Sequence, residues 1–283
     1  LKEQKEYKTT LYNHLMTKSD ENGKEMLDGT RFLDWPSSPN VKGVDAGLQA
    51  LMVMAMDAGN EMALAMGDKE LADRCAKASK KLKKYIPDHN QSKQGAALMA
   101  LAGLMKAEKA DKDVLSVGGA QGFSTFYGYY MLEAMAKAGN YQGAMDIISE
   151  YWGAMLDLGA TTFWEDFHID WTQNAARIDE LVPEGKVDVH GAYGDYCYKG
   201  FRHSLCHGWA SGPTSWLSRH VLGVEVLEPG CKKVRITPHL GDLKWVEGTF
   251  PTPFGIIKIK HEKHANGKVV SDIQVPEGVE LVK

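Results

Sequence analysis

The chain has 283 residues, 43% hydrophobic and 25% charged, with a formal net charge of −4. Such a composition is that of an ordinary globular protein, long enough for one large domain or a large and a small one. The slightly acidic balance argues against a nucleic-acid partner, and no run of about 18 apolar residues predicts a membrane span.

Leu1-Lys2-Glu3-Gln4-Lys5 has neither an initiator Met nor an apolar segment, so it reads as the interior of something longer and shows no signal peptide. Compartment is therefore undetermined from this end. The four cysteines, Cys75, Cys197, Cys206 and Cys231, are scattered without a C-x-x-C pair, so unpaired thiols are expected and a zinc site is not.

Residues 5–19 carry Tyr7, Leu11, His14 and Leu15 at helical spacing. A charged, turn-rich stretch leads to Arg31-Phe32-Leu33-Asp34-Trp35-Pro36-Ser37-Ser38-Pro39-Asn40. Its prolines and serines predict a structured loop bearing an Asp–Trp pair. From Val44 to Met66, apolar residues recur at spacings of three and four, which predicts a helix. Further helices are expected over Lys69–Tyr85, Ser92–Lys106, Phe123–Asn140 and Tyr141–Trp152, with Pro87 and Gly139-Asn140 as breaks. Ala and Gly on these faces allow close helix packing, and the 13 methionines are core filler. Repeated helical hairpins with short connections suggest a solenoid or a toroid, and the lack of a TPR or ankyrin motif favours the toroid.

Val117-Gly118-Gly119-Ala120-Gln121-Gly122 resembles a phosphate loop superficially, but it lacks the Lys-Ser/Thr of a P-loop and the preceding strand of a dinucleotide fold. It fits the rim of a pocket better. Gly159-Ala160-Thr161-Thr162-Phe163-Trp164-Glu165-Asp166-Phe167 then joins an indole to adjacent acids. A Trp beside a carboxylate offers an apolar plate for a sugar's C–H face and a group for proton transfer. The ordinary alternative is a Trp–acid pair at a helix end.

Residues 168–200 lack clear periodicity and are rich in His, acids and Tyr, with no metal-ligand spacing. Ser204-Leu205-Cys206-His207-Gly208-Trp209 has no G-x-S-x-G elbow, so it is not read as a serine hydrolase. His207 and Trp209 read as a hydrogen-bonding group with an aromatic platform. From Val224 the period falls to two. Val234–Ile236, Ile256–Lys260, Val269–Ile273 and Val279–Val282 read as strands, with Asn266-Gly267 as a hairpin turn.

Phe32-Leu33-Asp34-Trp35, Gly118–Thr125, Gly159–Glu165, Ser204–Arg219 and Gly248–Gly255, in that order, resemble the C-terminal part of glycoside hydrolase family 78, the bacterial α-L-rhamnosidases. The resemblance implies a mainly α fold: an (α/α)6 toroid, partial in this chain, over residues 1–222, then a small antiparallel β-sandwich over 223–283. It implies inverting hydrolysis of terminal α-L-rhamnosyl residues, with Glu165 as the catalytic base. Asp34, Trp35, Trp164, His207 and Trp209 would be substrate contacts. No cofactor and no metal are implied, and the partner is a carbohydrate. The family's general acid has no counterpart in residues 1–30 and is expected upstream of this chain. A periplasmic or extracellular location would suit a bacterial polysaccharide-degrading enzyme. The competing readings are a non-catalytic carbohydrate-binding protein with the same plates, and a helical scaffold for protein partners.

Overall fold

The structure, a computed structural model, describes residues 15–194 and 200–282. It divides into two compact units. One comprises the chain up to Phe123 with Glu133–Ala138, the other Ser124–Leu132 and the chain from Gly139 onward. Tyr7, Leu11, His14 and Cys197 lie outside the described residues.

In the first unit, α1 (Val41–Ala65) packs against α2 (Lys69–Leu82) and α3 (Lys93–Leu101). All three helices are capped by a side chain that takes up an otherwise unmatched N–H of the first turn. Asn40 accepts from Gly43 N, Asp68 from Leu71 N and Ser92 from Gly95 N. Small residues set the approach of α1 to its surroundings. A Cβ on Gly47 would stand 2.4 Å from a methyl of Leu33, so the buried Leu33 side chain occupies the place that Gly47 leaves. The helix expected to reach Lys106 ends at Leu101, because Gly103 adopts a left-handed φ of 74°. A short helix, α4 (Ala107–Ala110), then runs into a π turn over Asp111–Leu115.

Polar groups inside this unit are matched. Buried Gln49 accepts from Glu25 N at 2.7 Å and donates to the carbonyls of Gly23 and Leu82, both at 2.9 Å. The equally buried Glu25 carboxylate pairs with Arg31, which also reaches Asp45 at 2.7 Å. These carboxylates raise the Arg31 pKa, Glu25 most strongly through its hydrogen bond.

Helix α5 (Gly128–Lys137) is shorter than expected, since Phe123 and Ser124 are irregular and Thr125–Tyr127 form a turn. In the second unit, α6 (Tyr141–Ile147) continues through a π turn (Ile148–Trp152) into α7 (Gly153–Asp157). The π turn buries Tyr151 and Trp152. Tyr151 Oη then donates to Phe167 O, and Trp152 Nε1 to Ala210 O at 2.9 Å. The irregular stretch after Phe167 holds a 3₁₀ turn (Ile169–Gln173) and α8 (Val189–Ala192). Helix α9 (Gly212–Trp216) ends in another π turn (Leu217–Val221).

Among the described residues six strands follow: β1 (Val224–Val226), β2 (Lys233–Ile236), β3 (Trp245–Thr252), β4 (Gly255–Lys263), β5 (Val269–Gln274) and β6 (Glu280–Val282). They form two three-stranded sheets, ordered β1-β2-β6 and β3-β4-β5. One cluster of Leu222, Val224, Val234, Ile257, Ile259 and Val279 draws on both sheets, with Phe250 and Ile273 packed on it. Period-two alternation supplies those inward residues, as expected of sheets with one solvated face. The strand over Trp245–Thr252 is not among those expected, because Pro251 and Pro253 read as a corner. Pro251 is tolerated because β3 is an edge strand. The expected all-antiparallel arrangement also needs correction, since β6 runs parallel to β2, Val234 facing Leu281. Its connection from β5 crosses between sheets, and such a link is not bound by hairpin geometry to reverse direction.

These elements establish helices followed by two small sheets, and do not establish a ring of helix pairs. Cys75, Cys206 and Cys231 are free thiols. Among the described residues no helix is long and apolar enough to cross a membrane.

Candidate active site

The segment after α7 becomes a site because it is paired along its length with residues 203–207. Thr162 Oγ1 donates to Leu205 O, and His207 N to Phe163 O at 2.7 Å. Glu165 N donates to Ser204 O at 2.9 Å, and Ser204 N returns a bond to Glu165 Oε2 at 2.9 Å. Buried His203 places Nε2 2.6 Å from the Asp166 carbonyl oxygen and 3.2 Å from Asp166 N, so one ring nitrogen meets both main-chain polar groups of that residue. The Glu165 carbonyl in turn accepts from Thr125 Oγ1 at 2.6 Å and from Trp209 Nε1 at 2.7 Å. Every strut of the Glu165 backbone is thus taken up by side chains or by main chain distant in sequence.

The Glu165 side chain is 11% exposed. One carboxylate oxygen is held by the Ser204 N–H, and the other lies 3.7 Å from His207 Nδ1. That second separation is too long for a hydrogen bond but within ion-pair range for a protonated imidazole. A carboxylate oriented by a main-chain donor on one oxygen, with its second oxygen beside an imidazole, is equipped to take a proton from a positioned water.

His207 lies against Trp209, with ring centroids 4.3 Å apart. Trp209 continues into a cleft of about 850 Å³ lined by Phe126, Tyr129, Tyr130, Arg219, Glu225 and Phe250 among others. The structure therefore brings Glu165, His207 and Trp209 together in the second unit. Asp34 and Trp35 lie in the first, where Asp34 is buried. Its Oδ1 accepts from Trp35 N at 2.9 Å, and its carbonyl accepts from Ser37 and Ser38. The Trp35 ring meets Phe32 edge-on at 4.9 Å.

Trp164 is corrected. It is fully buried, edge-on to Phe167 at 5.8 Å and near His203, so its ring is core and not a sugar plate. Trp164 is fully enclosed, whereas the adjacent Glu165 side chain stays partly exposed and is held by Ser204 N, so the two side chains do not share one environment. Its indole N–H has no hydrogen-bond partner among the described residues. Sequence reasoning missed His203, Phe126 and Tyr130. His203 adjoins the S-x-x-H segment and was the one detectable signal. The two rings look like ordinary helix-start aromatics until Trp209 folds beside Phe126.

Residues 223–282 match the family model described as "Bacterial alpha-L-rhamnosidase C-terminal domain". No curated protein sequence matches the chain. Among solved structures, the family 78 rhamnosidase of Bacillus sp. GL1 is 24% identical with a TM-score of 0.72, over 95% of this chain and 29% of that one. The α-L-rhamnosidase of Streptomyces avermitilis, solved with L-rhamnose, is 17% identical with a TM-score of 0.72, over 97% and 26%. The enzyme from Aspergillus terreus is 19% identical with a TM-score of 0.66, over 82% and 27%. The chain thus spans less than a third of the length of each of these structures. In fold the chain resembles the C-terminal part of family 78 α-L-rhamnosidases, and its last sixty residues match the C-terminal domain of that family.

Proposed function

We propose that this chain is the C-terminal part of a glycoside hydrolase that removes terminal α-L-rhamnosyl residues with inversion, and that Glu165 is its general base. The observation that carries the reading is the held Glu165 carboxylate, with Oε2 on the Ser204 N–H at 2.9 Å and Oε1 beside His207. In an inverting reaction the base takes a proton from water as that water attacks the anomeric carbon, while an acid on the opposite face protonates the departing oxygen. The two carboxyl groups stand roughly 6.5–9.5 Å apart to admit the water. Ser204 fixes the carboxylate so that its second oxygen meets the water without reorganisation. His207 lies where it can hydrogen-bond a sugar hydroxyl and stabilise the carboxylate by charge when protonated.

The general acid belongs, in this reading, to sequence upstream of Leu1. The helical hairpins of residues 1–222 belong to an (α/α)6 toroid, and residues 223–283 form the β-domain beside it. Trp209 contributes an aromatic sugar contact, and the Asp34–Trp35 loop is a further sugar-contacting element. The family match over residues 223–282 and the likeness to rhamnosidase structures support these assignments.

The test is Glu165→Gln in the complete polypeptide, assayed on an aryl α-L-rhamnoside. Turnover should fall by roughly 10²–10⁴-fold, with sugar binding kept. Undiminished turnover would sink the assignment.

A further inference from the structure

Thr125 closes the glycine-rich segment before α5, and its hydroxyl has no part in the chemistry assigned to Glu165. The side chain is buried, where a hydroxyl costs free energy unless it is hydrogen-bonded. Its partner is the main-chain carbonyl of Glu165, 40 positions away, which accepts from Thr125 Oγ1 at 2.6 Å. The same carbonyl accepts from Trp209 Nε1 at 2.7 Å, so both of its lone pairs are taken. The two donors are also linked to each other, because the ring of Phe126, next to Thr125, lies 5.8 Å from the Trp209 ring. Gly128 N donates to Ser124 O at 2.8 Å and closes the turn that carries Thr125. A β-branched side chain on a closed turn has few rotamers, so the hydroxyl is held where it meets Glu165.

These bonds leave one reactive atom at liberty. Glu165 N and Oε2 are both engaged with Ser204 at 2.9 Å, and the carbonyl has its two donors. Oε1 alone makes no hydrogen bond among the described residues, with His207 Nδ1 3.7 Å away. Where Oε1 lies depends on where the Glu165 backbone lies, and displacing a reacting group by about 1 Å can cost on the order of 100-fold in rate. We propose that Thr125 is a positioning residue for the general base: its hydroxyl fixes the Glu165 carbonyl and, through it, the reach of Oε1 toward the attacking water. The proposal rests on the reading of Glu165 as a glycosidase base. A hydroxyl that only stabilised the fold would act equally whether or not residue 165 carries a carboxylate.

The test is a double-mutant cycle in the complete polypeptide, assayed on an aryl α-L-rhamnoside. Thr125→Val keeps the shape of the side chain and removes the donor. With Glu165 present, kcat should fall about tenfold, because Trp209 still holds the carbonyl. KM should stay within about twofold, since the interaction lost serves the transition state. In the Glu165→Gln background Thr125→Val should cause no further fall, as expected of two residues acting as a unit. Thr125→Ser keeps the hydroxyl and should recover most of the loss. An unchanged kcat, a loss confined to KM, or an equal fall in both backgrounds overturns the proposal. So does a Thr125→Ser variant as impaired as Thr125→Val, or a Thr125→Val variant that fails to fold in a thermal melt, because the bond then serves the fold and not the base. In each of these cases the reading of Glu165 stands as long as Glu165→Gln alone loses turnover. Undiminished turnover in Glu165→Gln overturns both.

Discussion

Glu165 and Ser204 exchange two hydrogen bonds across 39 positions of sequence, main chain to main chain in one direction and main chain to carboxylate in the other. The carboxylate is therefore part of the fold as well as of the chemistry. Glu165→Gln retains an oxygen that can accept from Ser204, and its stability should stay within about 0.5 kcal/mol of the parent. Glu165→Ala leaves the Ser204 N–H without that acceptor and should cost about 1–2 kcal/mol. Urea denaturation of the two variants distinguishes them, and equal midpoints would contradict the geometry.

Two buried tryptophans differ in one hydrogen bond. Trp216 Nε1 donates to Leu132 O at 3.1 Å, whereas Trp164 Nε1 has no partner among the described residues. Both are fully buried, so replacement by Phe opens a comparable void in each case. Trp216→Phe should cost about 1 kcal/mol more than Trp164→Phe, because only the former loses a bond. Thermal unfolding of the pair checks the difference.

Gln49 holds three main-chain groups at once. Gln49→Leu keeps the volume but strands Glu25 N and the carbonyls of Gly23 and Leu82, with an expected loss of about 2–4 kcal/mol. Gly23→Ala should be at least as damaging. Its φ is +89°, and a Cβ there would stand 2.1 Å from the Lys81 carbonyl oxygen. Chemical denaturation reads both, and a neutral Gly23→Ala would refute the close approach.

The β-domain should be acid-sensitive through His261. This imidazole is fully buried, with Nδ1 2.7 Å from Ser271 Oγ and Nε2 3.1 Å from Leu222 O. Burial pushes its pKa below the ordinary 6.5, opposed in part by the Leu222 carbonyl. In the unfolded chain it protonates near pH 6.5 and in the folded chain only at lower pH, so acid favours unfolding. Its contribution to stability is complete above about pH 6.5 and is lost as pH falls toward the folded value. His261→Gln should flatten the fall in denaturation midpoint between pH 7.5 and 5.5. An unchanged slope would exclude His261 as its source.

Much of the fold was legible along the chain because it rests on local rules. Helices α1 and α2 follow from apolar spacing, and β4 and β5 from period-two alternation around Asn266-Gly267. Where reading failed, tertiary context overrode the local signal. Pro251 sits in a strand because that strand is an edge, which only the order of strands in the sheet decides.

The sequence by itself determined the residue types of the candidate site, a carboxylate, an imidazole and an indole at Glu165, His207 and Trp209, and the change from helical to strand periodicity near Val224. Only the tertiary structure decided which aromatic faces a cavity. Trp164 adjoins Glu165 in sequence and is core, while Trp209 lies 44 positions away and donates to the Glu165 carbonyl. The physical reason is that order along an irregular segment does not fix which way each side chain faces, and the partner segment at 203–209, hydrogen-bonded to residues 162–166, settles which side is interior.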